Sequence, residues 1–510
     1  MNNSDKADTT VAFGFAGQAA RSALWTGLSQ YWLFGLGVVK TVILARLVPP
    51  EWFGIVALAQ VWVSYLSFLK FDFQTAVVTW DESPQVLTMQ FWLENMMTLS
   101  GVLLAGILYL WTPGIVSTPI WAAIFILLGA TVFEALTSTP RYLTQKRLRQ
   151  DIIGRLTVFH SLLGLGVAVI LAWRGYYLAA LLADILIPIF VLGGGLALIV
   201  RWQPQRLWNG KVARDLLSYS FTLWSAGLLG KVIFQLDDWL VGTIQRSRSR
   251  VWLSSGVLSE AFYSRAYVAG KMPMDVFAAF ISLIALPLYS RSESAGREVL
   301  RHIYRRTTWL LTYLIFFSST FALVATEEVV TIVLGENWLP TVPLFRLMSL
   351  FIFLRPLFQN ASQALLAMHR EKDMRRATGY QALFIAVACP PAVYFWGAAG
   401  AAVIVSIMTV IGLIAAERYV RIEMDVQMWS IYLLPSLTSV TLIVFLGLAD
   451  SSLPENIWLS VLIKGCVCVL LFAGIVIARE RTRAREVWQL LRDALRAQGQ
   501  EKGDSFRAAP

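Results

Sequence analysis

The segment whose reading decides the fold runs from Lys231 to Pro287: KVIFQLDDWLVGTIQRSRSRVWLSSGVLSEAFYSRAYVAGKMPMDVFAAFISLIALP. Lys231, Asp237, Asp238, Arg265, Lys271 and Asp275 sit in or beside apolar runs of membrane-spanning character. A charged side chain at bilayer depth costs roughly 2.5 to 3.5 kcal/mol on insertion scales. Charges this close together therefore imply a water-filled, protein-lined cavity rather than lipid contact.

The rest of the chain supplies the membrane setting. Its 510 residues are 57% hydrophobic and 15% charged, with a mean hydropathy of +0.62; soluble domains carry about 25% charged residues. A helix crosses a hydrocarbon core of roughly 30 Å with about 20 residues. Windows of that length recur over 22–46, 53–79, 89–111, 118–140, 152–173, 177–200, 217–243, 257–288, 307–326, 340–368, 377–396, 398–417, 428–448 and 457–478. The expectation is an all-α polytopic membrane protein with about 14 transmembrane helices. A transmembrane barrel is excluded, because these runs are too long and lack a period of two.

The formal charge of +11 is unevenly spread. One set of loops carries Arg141, Lys146, Arg147 and Arg149, then Arg206, Lys211 and Arg214, then Arg291 to Arg306, then Arg370 to Arg376. The alternate loops carry Glu51, then Glu327, Glu328 and Glu336, then Asp450 and Glu455. The positive-inside rule places the basic set and both termini in the cytoplasm. Arg246, Arg248 and Arg250 break the rule, falling in a loop expected outside. No cleaved signal peptide is expected from the polar, mixed stretch Met1 to Ala20.

The linker 201–216, with Pro204, Asn209 and Gly210, is the expected boundary between a first six-helix bundle over 22–200 and a second over 217–420. A cytoplasmic segment, 1–21, precedes them. Two further helices, 428–478, and a basic amphipathic cytoplasmic tail, 479–510, follow. Two pseudo-symmetric six-helix halves around a midplane site are a common transporter plan. Pro273 and Pro356 are expected to kink their spans. Cys389, Cys466 and Cys468 all lie in spans and read as inert buried thiols. His160, His302 and His369 are too far apart in sequence to suggest a metal site.

Several pieces, taken in order, resemble a known family. They are LARLVPPEWFGIVALA (44–59), LDDWLVG (236–242), AFYSRAY (261–267), LPLYSR (286–291) and VLGENWLPTVPLFR (333–346). Together they resemble Wzx-type polysaccharide flippases of the multidrug/oligosaccharidyl-lipid/polysaccharide exporter superfamily, over about residues 20 to 425. The resemblance implies a MATE/MOP-like fold and alternating access of two helical bundles. The implied cargo is an undecaprenyl-pyrophosphate-linked oligosaccharide, moved across a bacterial inner membrane for surface polysaccharide assembly.

Such a cargo carries a pyrophosphate and a head too polar for hydrocarbon, so its path needs cations inside. Candidate substrate-binding residues are Lys40, Lys70, Lys231, Arg265, Lys271 and Arg355. Arg265 and Arg355 lead the guanidinium groups, because arginine grips phosphate oxygens through two parallel hydrogen bonds. Asp72, Glu94, Glu134, Asp237, Asp238 and Asp275 are candidates for charge pairing with these cations, or for coupling to a proton or sodium gradient. Trp80, Trp92, Trp224 and Trp239 are candidate sugar-stacking surfaces, whereas most tryptophans read as interface anchors.

No catalytic residue, metal or cofactor is expected. The expected partners are the lipid-linked oligosaccharide and membrane lipids, together with polysaccharide polymerase and export machinery; no nucleic acid is expected. Two other readings stay open. A small-molecule or drug-cation antiporter of the same superfamily would want a cavity dominated by carboxylates. A membrane polymerase or ligase would want a sizeable external loop with an acid/base constellation, which the longest external loop, 244–256, does not offer.

Overall fold

The computed structural model describes residues 32–67, 70–71, 73–80, 82–111, 117–147, 149–205, 208–248, 254–280, 289, 296–426, 428–450, 454 and 456–481. Of residues 222–223, 225–229, 231, 243–248, 254–256, 272–280 and 429–430 it describes the backbone alone. The expected terminal segments 1–21 and 482–510 lie outside the described residues.

The described residues form helices and no strand. In chain order these are α1 (32–47), α2 (Pro50–Leu66), α3 (Gln74–Thr79), α4 (Pro84–Trp111), α5 (Thr118–Leu136), α6 (Ser138–Lys146), α7 (Gln150–Trp173), α8 (Tyr177–Val200), α9 (Gly210–Arg248) and α10 (Ser254–Phe280). They continue as α11 (Arg297–Val324), α12 (Thr326–Val333), α13 (Thr341–Leu347), α14 (Ser349–Ala367), α15 (Glu371–Met424), α16 (Trp429–Ala449) and α17 (Ile457–Arg479).

Among the described residues, 8 helices are long and apolar enough to cross a membrane, or 9 if the bent pair α13–α14 is one span. Within the described residues a helix underlies every expected span. The short α1 and α2 and the charged α9 and α10 fall outside the stricter count. The protein is a multi-pass membrane protein.

Local sequence explains where helices start and break. Pro50 opens α2, where its missing N–H is no loss. Asn456 caps α17, its Oδ1 accepting from Trp458 N at 3.0 Å and Leu459 N at 3.3 Å. The expected span 53–79 is broken: α2 stops at Leu66 and α3 starts at Gln74, with the charged Lys70 between them. The tenth span bends by 45° at Met348, between α13 and α14. Pro356 stays inside α14 without a break in it. α15 is two helices joined at Gly397, whose φ of 61° and ψ of −142° only glycine adopts easily. Arg246 and Arg248 continue α9 rather than lying in the loop expected to hold them.

The chain divides into two compact units, residues 1–264 with 333–337, and 265–332 with 338–510. This division falls within α10, and α9 packs on α2, α3 and α4 of the first unit. Within that unit α7 and α8 form a hairpin, and α5 packs on α2, α4 and α8. The second unit is built on α11, which contacts α14, α16 and α17, with α14 against α15.

Burial is inverted relative to a soluble protein. Leu110, Trp111, Trp173, Leu198, Leu448, Trp458 and Leu470 are all exposed, whereas Gln90, Glu94, Asp237, Glu260, Asn360 and Gln381 are buried. Only 11% of the apolar window of α8 and 17% of that of α17 is buried, so these helices face lipid. Cys389 and Cys468 are buried as expected, but Cys466 is exposed on α17.

Candidate functional site

Two candidate cations of the first unit are paired with acids. Lys40, on α1, lies 2.9 Å from Asp184 on α8. Both line a cavity of about 70 Å³ with His160 of α7, whose buried Nδ1 has no hydrogen-bond partner. A polar space of that size holds water. Asp184 escaped the sequence reading, and His160 entered it only as too far from the other histidines for a metal site, although Asp184 is the one acid within the sixth span and His160 the one histidine within the fifth.

Lys70 lies 3.3 Å from Glu94, which is 1% exposed on α4. Gln90 donates to the Glu94 carboxylate at 2.6 Å and to Ser138 at 3.0 Å, and accepts from Thr139 at 2.7 Å. Tyr142 reaches the same carboxylate at 3.4 Å. Asp72, a candidate for charge pairing, lies outside the described residues. Glu94, which Lys70 meets, is distant in sequence. Glu134 pairs with Arg141 at 3.1 Å.

α9 and α10 supply an acidic group. Asp237 is 1% exposed and Glu260 fully buried, and the Tyr263 hydroxyl donates to Asp237 Oδ2 at 2.6 Å. Asp237 Oδ1, Asp238 Oδ1 and both Glu260 oxygens lack a hydrogen-bond partner. Glu260 was not singled out in the sequence. Its signal is its position, one helical turn before Tyr263 and Ser264. The side chains of Lys231 and Asp275, expected near this group, lie outside the described residues.

The second unit holds Arg265, Lys271 and Arg355. The Arg265 guanidinium sits 5.8 Å from the centre of the buried Trp338 ring. Arg355, 6% exposed on α14, donates to Gln381 Oε1 at 3.2 Å and lies 5.0 Å from the Phe358 ring centre. Aromatic faces and amide oxygens suit guanidinium because its charge is delocalised and weakly hydrated. Lys271 is exposed. Its neighbour Gly270 packs against Ile352, which a Cβ on Gly270 would meet at 2.9 Å. The six candidate cations are thus divided, with Lys40, Lys70 and Lys231 in one unit and Arg265, Lys271 and Arg355 in the other.

Of the candidate sugar-stacking rings, Trp80 meets Tyr219 at 5.5 Å and Trp239 meets Tyr65 at 5.8 Å. Trp224 packs with Phe71 and Phe221, and Trp92 lies against Phe91. Among the described residues no group of three His, Cys, Asp or Glu side chains could hold a metal ion.

Solved structures share this all-helical membrane fold. The fold superposes on the lipid II flippase MurJ in an inward-closed conformation, with a TM-score of 0.69 and 14% identity, covering 90% of this chain and 100% of that one. An inward-facing multidrug resistance MATE family transporter of the MOP superfamily matches with a TM-score of 0.51 and 13% identity, over 77% and 95% of the two chains. The protein shares this fold.

Residues 43–343 match the family model described as polysaccharide biosynthesis protein, and the chain belongs to that family. The teichuronic acid biosynthesis protein TuaB of Bacillus subtilis is 23% identical over 69% of this chain and 72% of its own length. The succinoglycan biosynthesis transport protein ExoT of Rhizobium meliloti is 22% identical over 65% of each chain. The resemblance to Wzx-type flippases is thereby confirmed at the level of the family.

Proposed function

We propose that this protein is a flippase for undecaprenyl-pyrophosphate-linked oligosaccharide repeat units, working by alternating access in a bacterial inner membrane with both termini cytoplasmic. The observation that carries this reading is the family match over 43–343, on a fold shared with a lipid II flippase. Relatives named for teichuronic acid biosynthesis and succinoglycan transport support a polysaccharide precursor as cargo. Polymerase and export machinery would take up the product.

In this reading Arg355 and Arg265 engage the pyrophosphate. Each is oriented by its neighbours, Arg355 by Gln381 and Phe358 and Arg265 by Trp338, so little side-chain freedom is lost on binding. Lys40 and Lys70 reach the cargo only by exchanging Asp184 and Glu94 for phosphate oxygens. Lys231 and Lys271 complete the cationic path. Asp237, Asp238 and the added Glu260 serve as the coupling group, taking up a proton or sodium ion between the two states.

The test is reconstitution into vesicles with a labelled lipid-linked oligosaccharide. Translocation that depends on Arg265 and Arg355 is expected, and absence of translocation by the parent protein would sink the reading. A second reading, a small-cation antiporter, is favoured by the acidic group on α9 and α10. Ethidium efflux by the same vesicles, without oligosaccharide transfer, would select it.

A further inference from the structure

A groove of about 530 Å³ opens on the first unit where α9 begins, within the range of small-molecule sites. Its floor is one stripe of α9, on which Arg214, Leu217, Ser218 and Phe221 recur at helical spacing, and its sides are Phe71 and Trp208. Trp208 is 63% exposed and Phe221 52% exposed. Three rings make a continuous platform, with Phe71 5.8 Å from Phe221 and 5.4 Å from Trp224, and Phe221 stacked on Trp224 at 5.5 Å.

The lining selects the occupant. A sugar needs many directional hydrogen bonds, and among the described lining residues only Ser218, Arg214 and the indole N–H of Trp208 offer polar groups. A hydrocarbon chain needs unbroken apolar contact, which the platform and Leu217 provide. The charge among the described lining residues is cationic. Arg214 lies one turn after Lys211, both are exposed, and neither makes an ion pair with another described residue; Asp215 is the one acid among the first turns of α9. The amides at the start of α9 are already satisfied in part, because Asn209 Oδ1 accepts from Lys211 N at 3.1 Å and Val212 N at 3.3 Å. Arg214 and Lys211, rather than the helix end, are thus the anion-binding groups.

We propose that this groove is a loading site for the polyprenyl diphosphate part of the cargo. The prenyl chain lies along Phe71, Leu217 and Phe221, and the diphosphate is held by Arg214 with Lys211. This deepens the flippase reading and rests on it. It assigns the first capture of the lipid and its diphosphate to α9, before the diphosphate passes to Arg265 and Arg355, and apart from recognition of the sugar head. A transporter with such a site accepts different glycans on the same carrier.

The test is binding of radiolabelled undecaprenyl diphosphate, which carries no sugar, to the purified full-length protein in detergent. Retention is expected to fall about tenfold in Arg214→Ala, the usual scale for losing a charge-assisted contact, and equally in Ser218→Trp, which fills the groove. Arg305→Ala, on α11, should bind as the parent does. Gel filtration and melting temperature identify any variant that misfolds, and Arg214→Lys, which keeps the charge, should restore part of the binding.

Displacement by dioleoylphosphatidylglycerol at the same excess would make the groove an ordinary lipid contact and overturn the proposal. Displacement by inorganic pyrophosphate alone, or full retention in both Arg214→Ala and Ser218→Trp, would also overturn it. Binding with the expected Arg214 dependence, but no oligosaccharide transport by the parent, would refute the flippase reading and leave the groove standing. Transport without such binding would do the reverse.

Discussion

Lys70 and Glu94 stand 3.3 Å apart although 24 positions separate them in the chain, one in the break after α2 and the other buried on α4. Glu94 is also held by Gln90 and Tyr142. Removing one partner of a buried pair leaves an uncompensated charge, at a cost of about 3 to 5 kcal/mol. Glu94→Gln and Lys70→Met should each lower the melting temperature of the purified protein substantially. The double variant should recover much of the loss. Additive losses would show that the pair is not coupled.

Arg355 gives the sharpest functional prediction. Arg355→Ala should reduce oligosaccharide transport at least about tenfold, the loss of one charge-assisted phosphate contact. Arg355→Lys should restore little, because an ammonium cannot reproduce planar stacking on Phe358 together with a hydrogen bond to Gln381. Surface polysaccharide measured at equal membrane protein level checks both. Normal export by Arg355→Ala combined with Arg265→Ala would remove these cations from the path.

Lys464 ties the last helix to the second unit. It is 3% exposed, bonded to Glu328, and lies 2.7 Å from Asp450, while Ser460 also donates to Glu328 at 2.7 Å. Thr320 donates to Ser439 at 2.7 Å and secures α16 to α11. Lys464→Met should loosen α17 and expose it to limited proteolysis. Lys464→Met with Glu328→Gln should be more resistant than the single variant, since no lone buried charge remains. Proteolysis of the single variant at the parent rate would show that the ion group does not hold α17.

Two glycines predict opposite stability effects. A Cβ on Gly54 would fall 2.1 Å from the carbonyl oxygen of Val257, so Gly54→Ala should cost about 1 to 3 kcal/mol through overpacking. A Cβ on Gly37 meets nothing within 4 Å, and alanine there should stabilise α1 by roughly 0.5 to 1 kcal/mol. Thermal unfolding of the two variants in one detergent compares them directly.

The proposed topology puts residues 147 and 336 on opposite sides of the membrane. Arg147→Cys should react with an impermeant thiol reagent from the cytoplasmic side and Glu336→Cys from the other. Glu336 serves better than Gly335, whose φ of 99° would strain a cysteine. Labelling of both from one side would overturn the proposed orientation.

The sequence by itself determined that this is a polytopic helical membrane protein, because hydrophobic length is a local property and each span announces itself in about 20 residues. It also located α9 and α10 as the charged pair of helices, since a charge in an apolar run is visible without any neighbour. The order of short motifs was enough to indicate the family.

Only the tertiary structure decided which charges meet. Lys40 finds Asp184 and Lys70 finds Glu94, partners on distant helices that no spacing rule relates. Asp237 takes its hydrogen bond from Tyr263 across the α9–α10 connection, and Glu260 joins the acids there. The place of the division within α10 and the bend at Met348 likewise follow from packing. The physical reason is that burial inside a membrane bundle is set by which faces of separate helices come together, and the long spanning helices here, such as α5, α8 and α17, are apolar nearly all round. Hydropathy therefore marks the spans but leaves their inward faces unmarked.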